Sequence, residues 1–348
     1  MFSQTGRLLV AAAVVVAVAS GSGAAQTITL HGAGASFPFP LYQQWTAVYA
    51  AERGVQINYQ SIGSGGGIRQ FMARTIDFAG TDAPMTDEQI RQTGSRVHHI
   101  PMVAGAVVPI YNVPGVGSGL NFTGDILADI FLGRITKWND PRILRVNPQA
   151  TLPGETIVVV RRAEGSGTTA IWTNYLSKVS PQWRSQVGEG PSVNWPTGLG
   201  ARGNEGVSGL VRQTPHSLGY VELAHASLNK IPFGHVQNRA GQFVRPTLSA
   251  TTRAMEGALR EMPADYRMFF TNPPGRDVWP IAGFTWILIY GEQPDAVKGK
   301  ALVDFLSWAI RDGQKYAPPL FYAPLPRSLV QRIDETLRSV TAGGKPLL

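Results

Sequence analysis

Residues 157–176 read IVVVRRAEGSGTTAIWTNYL. Ile157 to Val160 are β-branched and apolar, which suits a strand, while Trp172, Tyr175 and Leu176 recur at helical spacing. Between them lies the Gly/Ser loop RRAEGSGT. A strand, a glycine-rich loop and a helix in succession make up the repeating unit of an α/β fold. Two more such units occur upstream. The first is Ile28-Thr29-Leu30, the loop GAGASFPFP, and a helix carrying Leu41, Trp45, Val48 and Tyr49 on one face, with Pro40 in its first turn. The second is Val55 to Tyr59, the loop SIGSGGG, and a helix with Ile68, Phe71 and Met72 together. Leu302, Phe305, Leu306 and Ala309 mark a further amphipathic helix near the carboxyl end. The β-like runs Ala106–Tyr111 and Trp286–Tyr290 are expected to carry the chain between two lobes.

Working outward, 348 residues with 43% hydrophobic and only 16% charged side chains suffice for two domains and a large core. The formal charge of +8 favours anionic surroundings or ligands. With no cysteine, disulfides, thiolate nucleophiles and cysteine-ligated metals are excluded. Arg7 is the one charged side chain before the apolar run Leu8–Ala19, which small residues follow through Ala25. That pattern predicts a secretory signal peptide over residues 1–25, cut after Ala25, and an exported, soluble remainder.

Several chemistries lack their residues. Gly198, Gly200 and Gly203 fit G-x-G-x-x-G but follow Trp195-Pro196 and no strand, against a dinucleotide site. The six histidines show no H-x-x-x-H spacing, so no metal site is expected. Ser166 stands in GSGT, outside G-x-S-x-G, and no histidine partner for it is identifiable. Catalysis and cofactors therefore find no support. The basic residues form no stripe with interleaved aromatics, against nucleic-acid binding.

The loops themselves suggest a chemistry. A helix that begins after a Gly/Ser loop offers unpaired N–H groups and the positive end of its dipole to an anion. For a single loop, the plainer reading is a serine N-cap with glycines easing the turn. Three loops together, one bearing Arg161 and Arg162, point to an oxyanion held by converging helix ends. Arg162 offers paired donors, unless it serves only as a surface ion pair with Glu164. Asp82, in DFAGTDAPM, repels any anion that lacks a proton to donate. Phosphate carries such a proton and ionised sulfate does not. The rival reading has Asp82 capping a turn before Pro84.

GAGASFPFPLYQQW, NYQSIGSGGGIRQ, DFAGTDAPM, LGRITKWND, VVVRRAEGSGTTAIWTNYL, WPTGLGARGNEGV, LGYVE and WPIAGFTWILIY follow one another in this chain. In that order and spacing the chain resembles the PstS family, the periplasmic phosphate-binding proteins of bacterial phosphate ABC transporters, from about Thr29 to its end. The resemblance implies a two-lobed α/β fold of the periplasmic binding protein kind (type II-like), closing about two hinge segments. Expected limits are lobe I at 26–108 and 281–348, and lobe II at 109–280. It implies phosphate binding by Ser36, Phe37, Ser64, Asp82, Arg162, Ser166, Gly167 and Thr168, with inorganic phosphate as ligand and no cofactor. It also implies a monomeric receptor that passes the ion to membrane permease subunits. Glu164 stands where relatives often carry Asp, which would alter the pose of Arg162. Gly65 stands where they often carry Ser, which would remove a hydroxyl. Two rivals remain: a receptor of the same build for another oxyanion, and an exported hydrolase using Ser166 or Ser64.

Overall fold

The computed structural model describes residues 27–348, so the signal-peptide reading of residues 1–25 lies outside the described residues. Eight strands form the main sheet: β1 (Thr29–Gly34), β2 (Gln56–Ser61), β3 (Phe78–Thr81), β4 (Val97–Asn112), β5 (Val158–Arg162), β6 (Leu199–Ala201), β7 (Ser217–Glu222) and β8 (Ala282–Tyr290). Their spatial order is β2-β1-β3-β8-β4-β7-β5-β6.

Strand β4 organises the whole. Its sequence VHHIPMVAGAVVPIYN is buried along nearly its full length, as expected of a strand covered on both faces. Up to Ala106 it pairs antiparallel with β8, Ala282 lying opposite Ala106. From Val107 onward it pairs with β7 instead, Val107 lying opposite Glu222. One half of the sheet thus contains β2, β1, β3 and β8, the other β7, β5 and β6, and β4 runs through both. A second connection lies just before β8, where Val107 N–H donates to the Ile281 carbonyl at 2.8 Å. The run Trp286–Tyr290, expected to cross between lobes, lies instead within the first half, against β3 and the start of β4. An apolar run reveals that a strand is buried, but not which strands flank it.

The three units of the sequence form as read. Helix α1 (Phe39–Arg53) buries Leu41, Tyr42, Trp45 and Tyr49, with Pro40 in its first turn. Helix α2 (Ser64–Met72) follows β2 and buries Ile68 and Phe71. Helix α3 (Gly167–Val179) follows β5 and is buried over most of its length. Helix α4 (Gly203–Gln213) follows β6, the six-residue α5 (Leu223–Leu228) follows β7, and α6 (Ala296–Ala309) follows β8. Because β1 and β2 are parallel, as are β5 and β6, the loops leaving their carboxyl ends gather on one edge of each half. No helix among the described residues is long and apolar enough to cross a membrane.

Candidate functional site

The fold draws the eight residues singled out above to the junction of the two halves. Ser36, Phe37, Ser64 and Asp82 come from the first half; Arg162, Ser166, Gly167 and Thr168 come from the second. All are buried, none more than 2% exposed where a side chain is present. Gly167 N–H donates to Ser64 Oγ at 3.1 Å, and Gly65 N–H donates to the Gly165 carbonyl at 2.9 Å, so α2 and α3 meet by their amino ends.

Three of the four hydroxyls share one arrangement. Ser36 Oγ accepts from Asn204 N–H at 2.9 Å and Asn204 Nδ2 at 2.8 Å. Ser64 Oγ accepts from the N–H groups of Asp82 (3.2 Å) and Gly167. Ser166 Oγ accepts from Thr169 N–H at 3.1 Å, so the plain N-cap reading holds for this oxygen. Thr168 Oγ1 accepts from Asn204 Nδ2 at 3.1 Å and Arg162 Nη1 at 3.4 Å. A hydroxyl has one proton and two lone pairs. With both lone pairs engaged by protein N–H groups, Ser36, Ser64 and Thr168 keep only their O–H to offer, while Ser166 keeps its O–H and one lone pair. The cleft wall is therefore made mainly of donors, which suits a ligand made of acceptors.

Asp82 is the exception. Thr285 Oγ1 donates to its Oδ1 at 2.8 Å, which leaves no turn-capping role before Pro84, while its buried Oδ2 has no partner among the described residues. Burial lifts its pKa to about 7, against the opposing pull of Thr285, Arg162 and Ser64. Asp82 is the one carboxylate among the eight residues, and its Oδ2 can accept a proton; Glu164 Oε2 and Glu222 Oε1 nearby are also buried without a partner among the described residues.

Arg162 supplies the charge. Its side chain is 1% exposed and pairs with Glu164, whose Oε1 accepts from both Nε (3.0 Å) and Nη2. The reading of a surface ion pair thus fails on burial, although the pair itself exists. Burial works against the Glu164 charge, yet the guanidinium outweighs it and holds the carboxyl below its ordinary range. Gly203 N–H adds a third bond to the same oxygen at 3.0 Å. Gly65, the other departure, lies where a Cβ would stand 3.1 Å from Gly165 Cα, a tight backbone-to-backbone approach.

Four contributors escaped the sequence reading. Asn204, at the start of α4, bridges Ser36 and Thr168, while its Oδ1 accepts from Glu222 N–H at 2.8 Å. Thr285 orients Asp82. His225 Nε2 lies 2.9 Å from the Ser36 carbonyl, and Tyr322 donates to the Phe37 carbonyl at 2.7 Å. Asn204 stands in the quoted stretch WPTGLGARGNEGV, the one signal that pointed near it. Among the described residues no group of three or more His, Asp or Glu is placed to hold a metal ion.

A family model described as PBP superfamily domain matches residues 19–312. The chain is 44% identical over 302 residues to a phosphate-binding protein PstS of Pasteurella multocida, covering 86% of this chain and 87% of that one. It is 46% identical over 300 residues to a phosphate-binding protein PstS of Xylella fastidiosa, covering 86% and 82%. In fold it is similar to a phosphate-binding protein from Stenotrophomonas maltophilia, with TM-score 0.66, 21% identity and coverage of 89% and 94%. An ABC-type phosphate transport receptor from Vibrio cholerae also aligns, with TM-score 0.55, 17% identity and coverage of 85% and 100%.

Proposed function

The chain belongs to the PstS family of phosphate-binding proteins, and from that premise we propose that it binds inorganic phosphate in this cleft and delivers it to an ABC importer. The observation that carries the reading is a wall of donor hydroxyls around the unpartnered Asp82 Oδ2. Phosphate oxygens accept from Ser36, Ser64, Ser166, Thr168 and the Phe37 N–H, and Arg162 provides a guanidinium matched to an oxyanion. The ion's own proton goes to Asp82 Oδ2, which has no other partner among the described residues. Sulfate has no proton to give, so its binding requires Asp82 to take one from solvent or to face the anion as a carboxylate, a penalty that grows as pH rises above about 7.

Closure follows from where the groups lie, four on each half of the sheet. The switch of partners along β4 at Ala106/Val107 supports a hinge there, with lobe I at 26–108 and 281–348 and lobe II at 109–280. The protein acts as a monomeric receptor in the periplasm and hands the ion to membrane permease subunits. It is a binding protein and not a hydrolase. Among the described residues no histidine lies against the Ser64 or Ser166 hydroxyl, and His225 is engaged with the Ser36 carbonyl.

Calorimetric titration of protein stripped of anion tests the reading, with phosphate and separately sulfate near pH 7. One-to-one phosphate binding without sulfate heat is the expected result. Equal binding of both ions would refute the role of Asp82, and binding of neither would refute the function.

A further inference from the structure

The Ser36–Phe37 peptide is gripped on its far side. His225 Nε2 lies 2.9 Å from the Ser36 carbonyl oxygen, and the Tyr322 hydroxyl donates to the Phe37 carbonyl at 2.7 Å. A carbonyl oxygen only accepts, so His225 carries a proton on Nε2. Burial pushes its pKa down to about 4, although contact with the Ser36 and Phe37 carbonyls favours the proton, and the ring is neutral near pH 7. In a trans peptide the C=O and the following N–H point in opposite directions, and the described residues include no cis peptide bond. Fixing the Ser36 C=O therefore fixes the direction of the Phe37 N–H. That N–H belongs to a fully buried residue and donates to no protein acceptor among the described residues.

We propose that His225 is a positioning residue, which holds the Ser36 carbonyl and thereby aims the Phe37 N–H at the bound anion. The inference rests on the phosphate reading and extends it. His225 lies on α5, directly after β7, whereas Ser36 follows β1 in the other half of the sheet. The grip therefore crosses between the halves and is made only when they are together. Closure turns the loop donor toward the ion as well as bringing the second set of groups.

The test uses ¹⁵N-labelled full-length protein titrated with inorganic phosphate in three forms: wild type, His225→Leu and His225→Gln. Leucine fills the space of the ring without a donor, and methionine takes its place should leucine not fold. Glutamine keeps a donor at similar reach. The readouts are Kd, melting temperature and the Phe37 amide proton shift at saturation. The leucine variant should bind about tenfold more weakly with a diminished Phe37 shift, and glutamine should restore both. Wild-type affinity with a full Phe37 shift in the leucine variant would overturn the proposal. So would equal losses in both variants that merely track melting temperature. Absence of phosphate binding by the wild type would instead refute the function itself, and this inference with it.

Discussion

Gly167→Ala separates closure of the cleft from folding. A Cβ at this position would stand 2.6 Å from Asp82 Cβ, 2.6 Å from Asp82 Oδ2 and 2.6 Å from Ser64 Oγ. All three atoms belong to the opposite half of the sheet, and two of them belong to the proposed site. Ordinary contact lies near 3.5 Å or beyond, so α3 must back away by roughly 1 Å. That retreat strains the bonds that span the junction: Gly167 to Ser64, Gly65 to Gly165 and the pair from Asn204 to Ser36. At about 0.5–1.5 kcal/mol net for each, their combined loss is about 2–6 kcal/mol. Phosphate affinity should therefore fall by about thirtyfold at least, and by up to about four orders of magnitude. Stability should move the other way. Gly167 does not occupy the positive-φ region, and it opens a helix, where alanine is preferred to glycine by up to about 1 kcal/mol. Calorimetry with phosphate, thermal melting of the anion-free protein and small-angle scattering with and without phosphate measure the three quantities. The expected set is weak binding, an unchanged or raised midpoint and no compaction on adding phosphate. Near wild-type affinity with normal compaction would refute the steric argument.

Asp82→Asn should keep the bond from Thr285 to its oxygen and turn an NH₂ donor toward the ligand; phosphate should weaken by about tenfold to a hundredfold while sulfate binding becomes measurable. Unchanged selectivity in calorimetry would count against the proton argument. Glu164→Ala leaves the buried Arg162 without its carboxylate, so the anion-free midpoint should drop by the equivalent of about 3–5 kcal/mol, and saturating phosphate should recover part of it by replacing the charge; a variant that melts like the wild type without anion would sink this. Burial pushes His98 and His225 down to about 4 and His99 to about 3. The unfolded chain therefore takes up protons first, and stability should decline as pH falls from about 6.5 toward 4. A denaturation midpoint that stays flat over that window would contradict the burial of these rings.

What could be read from the sequence followed from what is local. Trp172, Tyr175 and Leu176 announce one helical face, and the loop before them announces a helix amino end, because both signals lie within a few residues of one another. Arg162 and Asp82 could be chosen because few side chains suit a proton-bearing anion. Asn204, Thr285, His225 and Tyr322 could not be chosen in that way. Each acts on a residue more than a hundred positions away, or in Asn204's case on both Ser36 and Thr168, and no periodicity encodes such a meeting. The crossing strand was half visible: Ala106–Tyr111 lies in β4, but the change of partners at Val107 is a property of the sheet and not of the run.

The donor-rich wall has a further consequence for the unoccupied receptor. Water is both donor and acceptor, and a trapped molecule is comfortable only with two to four partners of the right kinds. Against Ser36, Ser64 and Thr168 it finds protons offered to its lone pairs, while few groups, Asp82 Oδ2 foremost, can receive its own hydrogens. A closed cleft filled with solvent is thus frustrated, and one filled with an oxyanion that carries a proton for Asp82 is satisfied. The same chemistry that grips the ion makes the empty closed form costly, biasing the population toward the open one. A membrane partner that recognises the closed shape would then meet loaded receptors in preference to empty ones, so fidelity in signalling occupancy is written into the hydration of the site.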